Sequence, residues 1–237
     1  VERFGSGEFE ELITNRGSMY GFLARIYRVE VDQELLDQMV KMDLSVGVDE
    51  PEISVGYRML KGFLEHLAGS TLTDLAVEYA RIFLGAGLGG GDGAYPYESV
   101  YTNPHRLVMQ EARDQVLQIY REEGLDKAEE FVEPEDHITL ELEFMAHLCQ
   151  KTSEALKVGD KSATLSYLNK QKDFLEKHLI PWAPTFCADV ERIAQTDFYK
   201  AVAKVSTGYL KMEQDLIGKL IDGIDGKVSN SSPSLQT

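Results

Sequence analysis

Glu133-Pro134-Glu135-Asp136-His137-Ile138-Thr139-Leu140-Glu141-Leu142-Glu143-Phe144-Met145-Ala146-His147-Leu148-Cys149 is the stretch on which the reading of this chain turns. Ile138, Leu142, Met145 and Cys149 recur at the spacing of a helix that buries one stripe. Pro134 suits a helix start, and Glu135 and Asp136 would then stand in the first turn, where the helix dipole favours negative charge. The spacing therefore predicts a long helix from Pro134 to about Val158. A helix start does not account for His137, for Glu133 beside the Asp136–His137 pair, or for the apolar–acidic alternation of Leu140 to Phe144. On these residues alone, a helix start and a binding site both stay open.

Working outward, almost every other segment reads at the same helical period. Leu12, Ile13, Met19, Tyr20, Leu23 and Ile26 predict a helix from Phe9 to near Arg28. Asp32 caps a second helix carrying Leu35, Leu36, Met39 and Val40. Asp49-Glu50-Pro51 starts a third, and Thr71 with Asp74 is read as a capping box opening a fourth through Tyr79 and Phe83. Pro104 is read as the start of a helix that Gly124 ends, with a further turn or two at 128–132. After Gly159-Asp160 come a helix to about Leu179 and two more, at 183–193 and 198–221. No strand pattern competes and no internal repeat occurs. The expected fold is all-α, a compact bundle of about ten helices in two parts, 1–84 and 104–225, joined by a hinge loop at 85–103. A connector this long also allows a domain-swapped homodimer. The Ser-rich segment 226–237 is read as a disordered tail.

Composition narrows the class further. Hydrophobic residues are 43% and charged residues 27% of the 237, the balance of a folded globular protein. No apolar run approaches the roughly 20 residues of a membrane helix, and the start at Val1 lacks a secretory pattern, so a cytoplasmic location without membrane insertion is expected. The 24 basic against 40 acidic residues give a formal charge of -16. That field repels nucleic acid and anionic lipid and draws cationic partners. Cys149 and Cys187 are read as small buried hydrophobes rather than a disulfide or metal pair.

Three catalytic or metal readings are weighed and set aside. Gly85 to Gly93 holds six glycines, but no strand precedes them, no Lys follows, and Asp92 sits among them, so a phosphate cradle is not expected. Glu143 and His147, four apart, are read as a helix ion pair, because the ferritin-like metal pattern places Glu and His three apart on paired helices. Nothing marks a Ser or Cys as activated beside a histidine, so no nucleophilic triad is expected.

Glu133-Pro134-Glu135-Asp136-His137, followed by Glu141-Leu142-Glu143-Phe144-Met145, closely resembles the Glu-Pro-x-Asp-His signature of the TorD/DmsD family, cytoplasmic chaperones for molybdoenzyme maturation. Tyr79-Ala80-Arg81-Ile82-Phe83-Leu84-Gly85 with Tyr95-Pro96-Tyr97-Glu98-Ser99-Val100-Tyr101 is similar to a second block of that family, and His178 to Pro184 fits as a third. The resemblance implies a chaperone, not an enzyme. It would bind the twin-arginine signal peptide and the apo-protein of a molybdopterin oxidoreductase subunit, delaying export until the cofactor is inserted. Members of the family are linked to guanine nucleotide binding, but this chain offers no motif for it, and no cofactor or metal is expected. By motif position, Tyr79, Phe83, Pro96, Tyr97, Ser99, Glu133, Pro134, Asp136 and His137 would line the peptide site, with Tyr101 adding to an apolar groove. Two departures stand out: the glycine run at 87–93 is long, and Tyr95-Pro96 stands where a proline pair is frequent. The competing classes are a structural assembly subunit of a larger oxidoreductase complex and a nucleotide hydrolase built on the glycine loop.

Overall fold

The computed structural model describes residues 6–42, 44, 49–89 and 93–226. Residues 1–5, the middle of the glycine run and the tail beyond Gly226 lie outside the described residues. Ten α-helices occur among them: α1 (Ser6–Arg28), α2 (Gln33–Val40), α3 (Pro51–Leu64), α4 (Thr71–Phe83), α5 (Glu98–Thr102), α6 (Glu111–Glu122), α7 (Ile138–Lys157), α8 (Lys161–Phe174), α9 (Ala183–Ile193) and α10 (Asp197–Asp225). A π-helical turn, Leu175–Leu179, extends α8. No helix among the described residues is long and apolar enough to cross a membrane. The all-α class read from periodicity is the fold observed.

Local chemistry explains most of the boundaries. The Asp32 side chain accepts from the Leu35 amide, Asp160 from Ala163 and Glu50 from Ile53, each satisfying an amide that the first helical turn leaves unpaired. Gly124 and Gly159 follow α6 and α7 with φ of 70° and 72°, where a side chain would be strained. Along α1, Phe9, Ile13, Arg16, Tyr20, Leu23 and Tyr27 form a buried stripe at three- and four-residue spacing, which Ala24 and Ile26 widen near its end. α1 packs along α7 and turns Arg16, Tyr20 and Tyr27 of this stripe to α10, while α3 packs on α10 and α8 on α7 and α10. Helices from both sides of the 85–103 connector thus enter one buried cluster, which runs from Phe9 to Leu220.

Several starts differ from expectation. α7 begins at Ile138, not Pro134, because residues 96–98 pair with 136–138 in a short antiparallel bridge and hold the chain extended. α6 begins at Glu111, not Pro104: Arg106 and Met109 adopt φ of 53° and 59°, which breaks any helix there. Segment 128–132 forms turns and no helix. Thr71 opens no capping box; its hydroxyl accepts from the Ala68 amide, and Ser70 caps without a side-chain bond. Within the glycine run, Tyr95 explains two positions, since a Cβ on Gly85 would lie 2.9 Å and one on Gly93 3.1 Å from the Tyr95 ring and hydroxyl.

α3 and α10 approach closely through Gly56 and Gly208. A Cβ on Gly208 would stand 2.8 Å from Ile53 Cγ1 and 2.9 Å from the Ile53 amide nitrogen, and one on Gly56 would meet the Ala201 carbonyl at 2.9 Å. Gly208→Ala is expected to destabilise the protein by about 1–3 kcal/mol, although alanine is the better helix former, because backbone cannot yield as a side-chain tip can. Urea unfolding checks it: an unchanged or raised midpoint would mean that the two helices do not touch here.

Candidate functional site

The residues singled out by sequence fall into two groups in space. Pro96, Tyr97, Ser99, Glu133, Pro134, Asp136 and His137 come together where the connector meets the start of α7. The Pro96 carbonyl accepts from the Ile138 amide at 2.9 Å, and the Glu98 amide donates to the Asp136 carbonyl at 3.0 Å. Asp136 is fully buried, and its Oδ2 accepts from the Ser99 amide at 2.8 Å, so it caps α5 from across the bridge. The Ser99 hydroxyl in turn accepts from the Gln110 amide, fixing the approach to α6. Tyr97 donates to Glu133 Oε2 at 2.5 Å, and its ring stands edge-on to His137 at 5.2 Å. Burial, with that bond to Glu133 added, raises the Tyr97 phenol well above its ordinary range, so it stays a donor.

His137 is the N-cap of α7: its Nδ1 accepts from the Thr139 amide at 3.1 Å. The ring lies between Tyr97 and Phe131. Burial, and then the nearby Arg28 charge, push its pKa down to about 3, so the imidazole is neutral and free to accept. Asp136 through Oδ2 and His137 through Nδ1 thus hold the backbone and shape the site, while the buried Asp136 Oδ1 has no hydrogen-bond partner among the described residues. The half-buried Tyr97, Glu133 and Pro134 are its accessible members.

Tyr79 and Phe83 lie deeper, with Tyr79 near enough to Tyr97 and Glu133 for their charges to act on one another. Both are buried in the aromatic core with Tyr27, Phe186 and Tyr199, and the Tyr79 hydroxyl donates to the Tyr27 carbonyl. Tyr101 stacks on Trp182 at 5.6 Å under Arg106, and Phe186 stands between it and Phe83 at 6.1 Å from each ring.

Behind Tyr97, a buried polar cluster anchors α5. Glu98 Oε2 lies 3.0 Å from His178 Nδ1 on the π-helical turn, and Trp182 Nε1 donates to Glu141 Oε2 at 3.1 Å. Burial, and next the adjacent Glu98, hold the Glu141 carboxyl well above the usual carboxylate range, so it keeps its proton. The register of this turn brings His178 to Glu98; a histidine in a plain helix would show no sign of it. Glu135 is spoken for by Arg113 at 2.5 Å and Lys127 at 3.2 Å.

Beside this wall opens a cleft of about 210 Å³ that sequence reasoning did not find. Phe131, Leu140, Phe144, Tyr120 and Leu125 supply its apolar lining, and Arg28, Glu143 and His147 its rim. Leu140, Glu143, Phe144 and His147 stand at i, i+3, i+4 and i+7 on α7, a second stripe beside that of Ile138, Leu142, Met145 and Cys149, and its Phe144 belongs to the buried cluster as well as to the cleft. That spacing was the available signal, and it explains the apolar–acidic alternation. Glu143 pairs with Arg28 of α1 at 2.5 Å, replacing the expected helix ion pair with His147, whose ring stacks on Phe144. Cys149 and Cys187 are free and buried, and burial pushes both thiols up to about 12, as inert core residues require.

Comparison with known proteins places the chain among relatives of one kind. Residues 50–188 match the family described as nitrate reductase delta subunit. Chaperone protein TorD of Vibrio cholerae serotype O1 is 28% identical over 224 residues, covering 90% of this chain and 97% of the relative. Chaperone protein TorD of Shewanella pealeana is 26% identical over 213 residues, with 84% and 88% covered. That of Aliivibrio fischeri is 26% identical over 207 residues, with 84% and 92% covered.

Proposed function

The chain belongs to the TorD/DmsD family of molybdoenzyme maturation chaperones, and on that footing we propose that it binds the twin-arginine signal peptide of an apo molybdopterin oxidoreductase subunit in the cytoplasm. It would hold that subunit back from export until the cofactor is inserted, and it would catalyse no reaction itself. One observation carries the reading: an apolar cleft lined by Phe131, Leu140 and Phe144 carries the Glu143 carboxylate on its rim, and the half-buried Glu133, held by Tyr97, follows Phe131 by two residues. Arginine presents forked donors that carboxylates accept in pairs, and the apolar run that follows the arginines needs a hydrophobic groove. The formal charge of -16 raises the encounter rate with such a peptide.

Calorimetric titration with a synthetic twin-arginine peptide tests this. Binding is expected to weaken about tenfold on Glu133→Gln or Leu140→Asp, to fall with added salt, and to vanish when both arginines become glutamines. Binding that ignores the arginine pair, or no binding at all, would sink the reading. The family's description as a subunit keeps a structural role in view, and a stable stoichiometric complex with the mature oxidoreductase, rather than its precursor, would favour that role.

A further inference from the structure

We propose that Arg28 is an internal occupant of the peptide site, which a partner's arginine must displace from Glu143 and Phe131. The inference rests on the peptide-binding reading and names the subsite and its regulation. Arg28 is the last residue of α1, and its side chain crosses to α7, where Nη1 donates to Glu143 Oε1 at 2.5 Å. Its guanidinium lies 4.8 Å from the centre of the Phe131 ring. An aromatic face with a carboxylate at its edge is the cradle a foreign arginine would seek, and it favours arginine over lysine, whose ammonium lacks the planar fork that stacks flat and donates in pairs.

The pair is built to exchange. The Arg28 and Glu143 side chains are 30% and 40% exposed, so water screens the bond and little is lost when it opens. Buried pairs elsewhere in the chain, such as Arg16–Glu213, are sealed. Few other cations are at hand. Residues 122–137 carry eight acids and a single lysine, and that Lys127 is engaged with the Glu133 carbonyl and the Glu135 carboxylate. Arg28 thus supplies the positive charge that this acidic rim requires when no partner is present. It is also the charge that helps keep His137 neutral. A partner's arginine arriving in the same place would leave the N-cap of α7 undisturbed.

The test is a double-mutant cycle on the full chain with a twin-arginine peptide and its twin-lysine counterpart. Arg28→Gln is expected to bind the twin-arginine peptide about three- to tenfold more tightly, because the competitor is gone. Glu143→Gln is expected to weaken binding about fivefold or more and to cancel the gain from Arg28→Gln in the double variant. The twin-lysine peptide should gain little in any background. Wild-type binding with Arg28→Gln equal or weaker, at unchanged melting temperature, overturns the gate and leaves the peptide reading standing. Binding seen only in Arg28→Gln supports the gate in its strongest form. Failure of every variant to bind overturns both.

Discussion

Acidification from pH 6.5 to pH 4 is expected to cost the protein about 3 kcal/mol through His137 alone, if its pKa is about 3 when folded and ordinary when unfolded. The folded pKa is depressed, so the unfolded chain takes up the proton first. The contribution is whole above pH 6.5 and is lost progressively as pH falls toward 3. The cause is local: the ring is buried between Tyr97 and Phe131, Arg28 adds a positive charge, and Nδ1 is committed to the Thr139 amide. Protonation would place a hydrogen on the atom that must accept, breaking the α7 cap as well as charging a buried ring.

Other groups titrate in the same range. The lowered pKa of Glu135, with its Arg113 bond, also removes stability as pH falls, whereas the raised pKa of Glu141 acts in the opposite sense. The difference between wild type and His137→Asn isolates the histidine, since Asn still caps but does not titrate. Urea denaturation of both proteins at four pH values would show the two curves converging toward acid. Curves that stay parallel from pH 7 to pH 4 would mean that His137 titrates normally and is not held as described.

Glu213→Ala is expected to be the most damaging single change outside the aromatic core, at about 3–5 kcal/mol, or 10 °C or more in melting temperature. Arg16 of α1 donates from Nε to both oxygens of Glu213 of α10, at 2.9 and 3.0 Å, and from Nη2 to Oε2 at 2.6 Å, and Tyr20 adds a fourth bond to Oε2 at 2.9 Å. Both side chains are sealed from solvent. Burial alone would lower the Arg16 pKa, but Glu213 more than offsets it, so the guanidinium remains charged. Removing the carboxylate strands that charge in a site walled by Tyr20 and Tyr209. The cost belongs to the orphaned charge rather than to the pair, so Arg16→Met with Glu213→Leu should recover most of the loss. Thermal melts followed by circular dichroism decide it. A double variant no better than Glu213→Ala would place the damage in lost packing instead.

The two experiments probe different layers of the same molecule. The Arg16–Glu213 pair ties the first helix to the last and is sealed from solvent. His137 ties the start of α7 to the connector and sets the wall of the cleft. A protein that loses peptide binding in Glu133→Gln while both stability signatures persist would have lost recognition alone.

The amino-acid order by itself determined the helices and most of their ends. Apolar spacing in α1, α3 and α7, and the caps at Asp32, Glu50 and Asp160, act within a few residues, and physics at that range can be read along a chain. The Glu133 to His137 segment was likewise marked by charges beyond what a helix start needs, and its likeness to a family signature pointed to recognition. Only the tertiary structure decided what those residues do. Pro134 does not begin a helix, because a strand-like pairing with residues 96–98, nearly forty positions earlier, holds the segment extended. α7 carries two apolar stripes, and nothing local says which is wholly buried and which also lines a cleft. That choice was made by α1, packed along one side of α7, bringing Arg28 to Glu143 across 115 positions of sequence. Contacts between faces depend on how whole helices settle against one another, and no spacing within either helix encodes that.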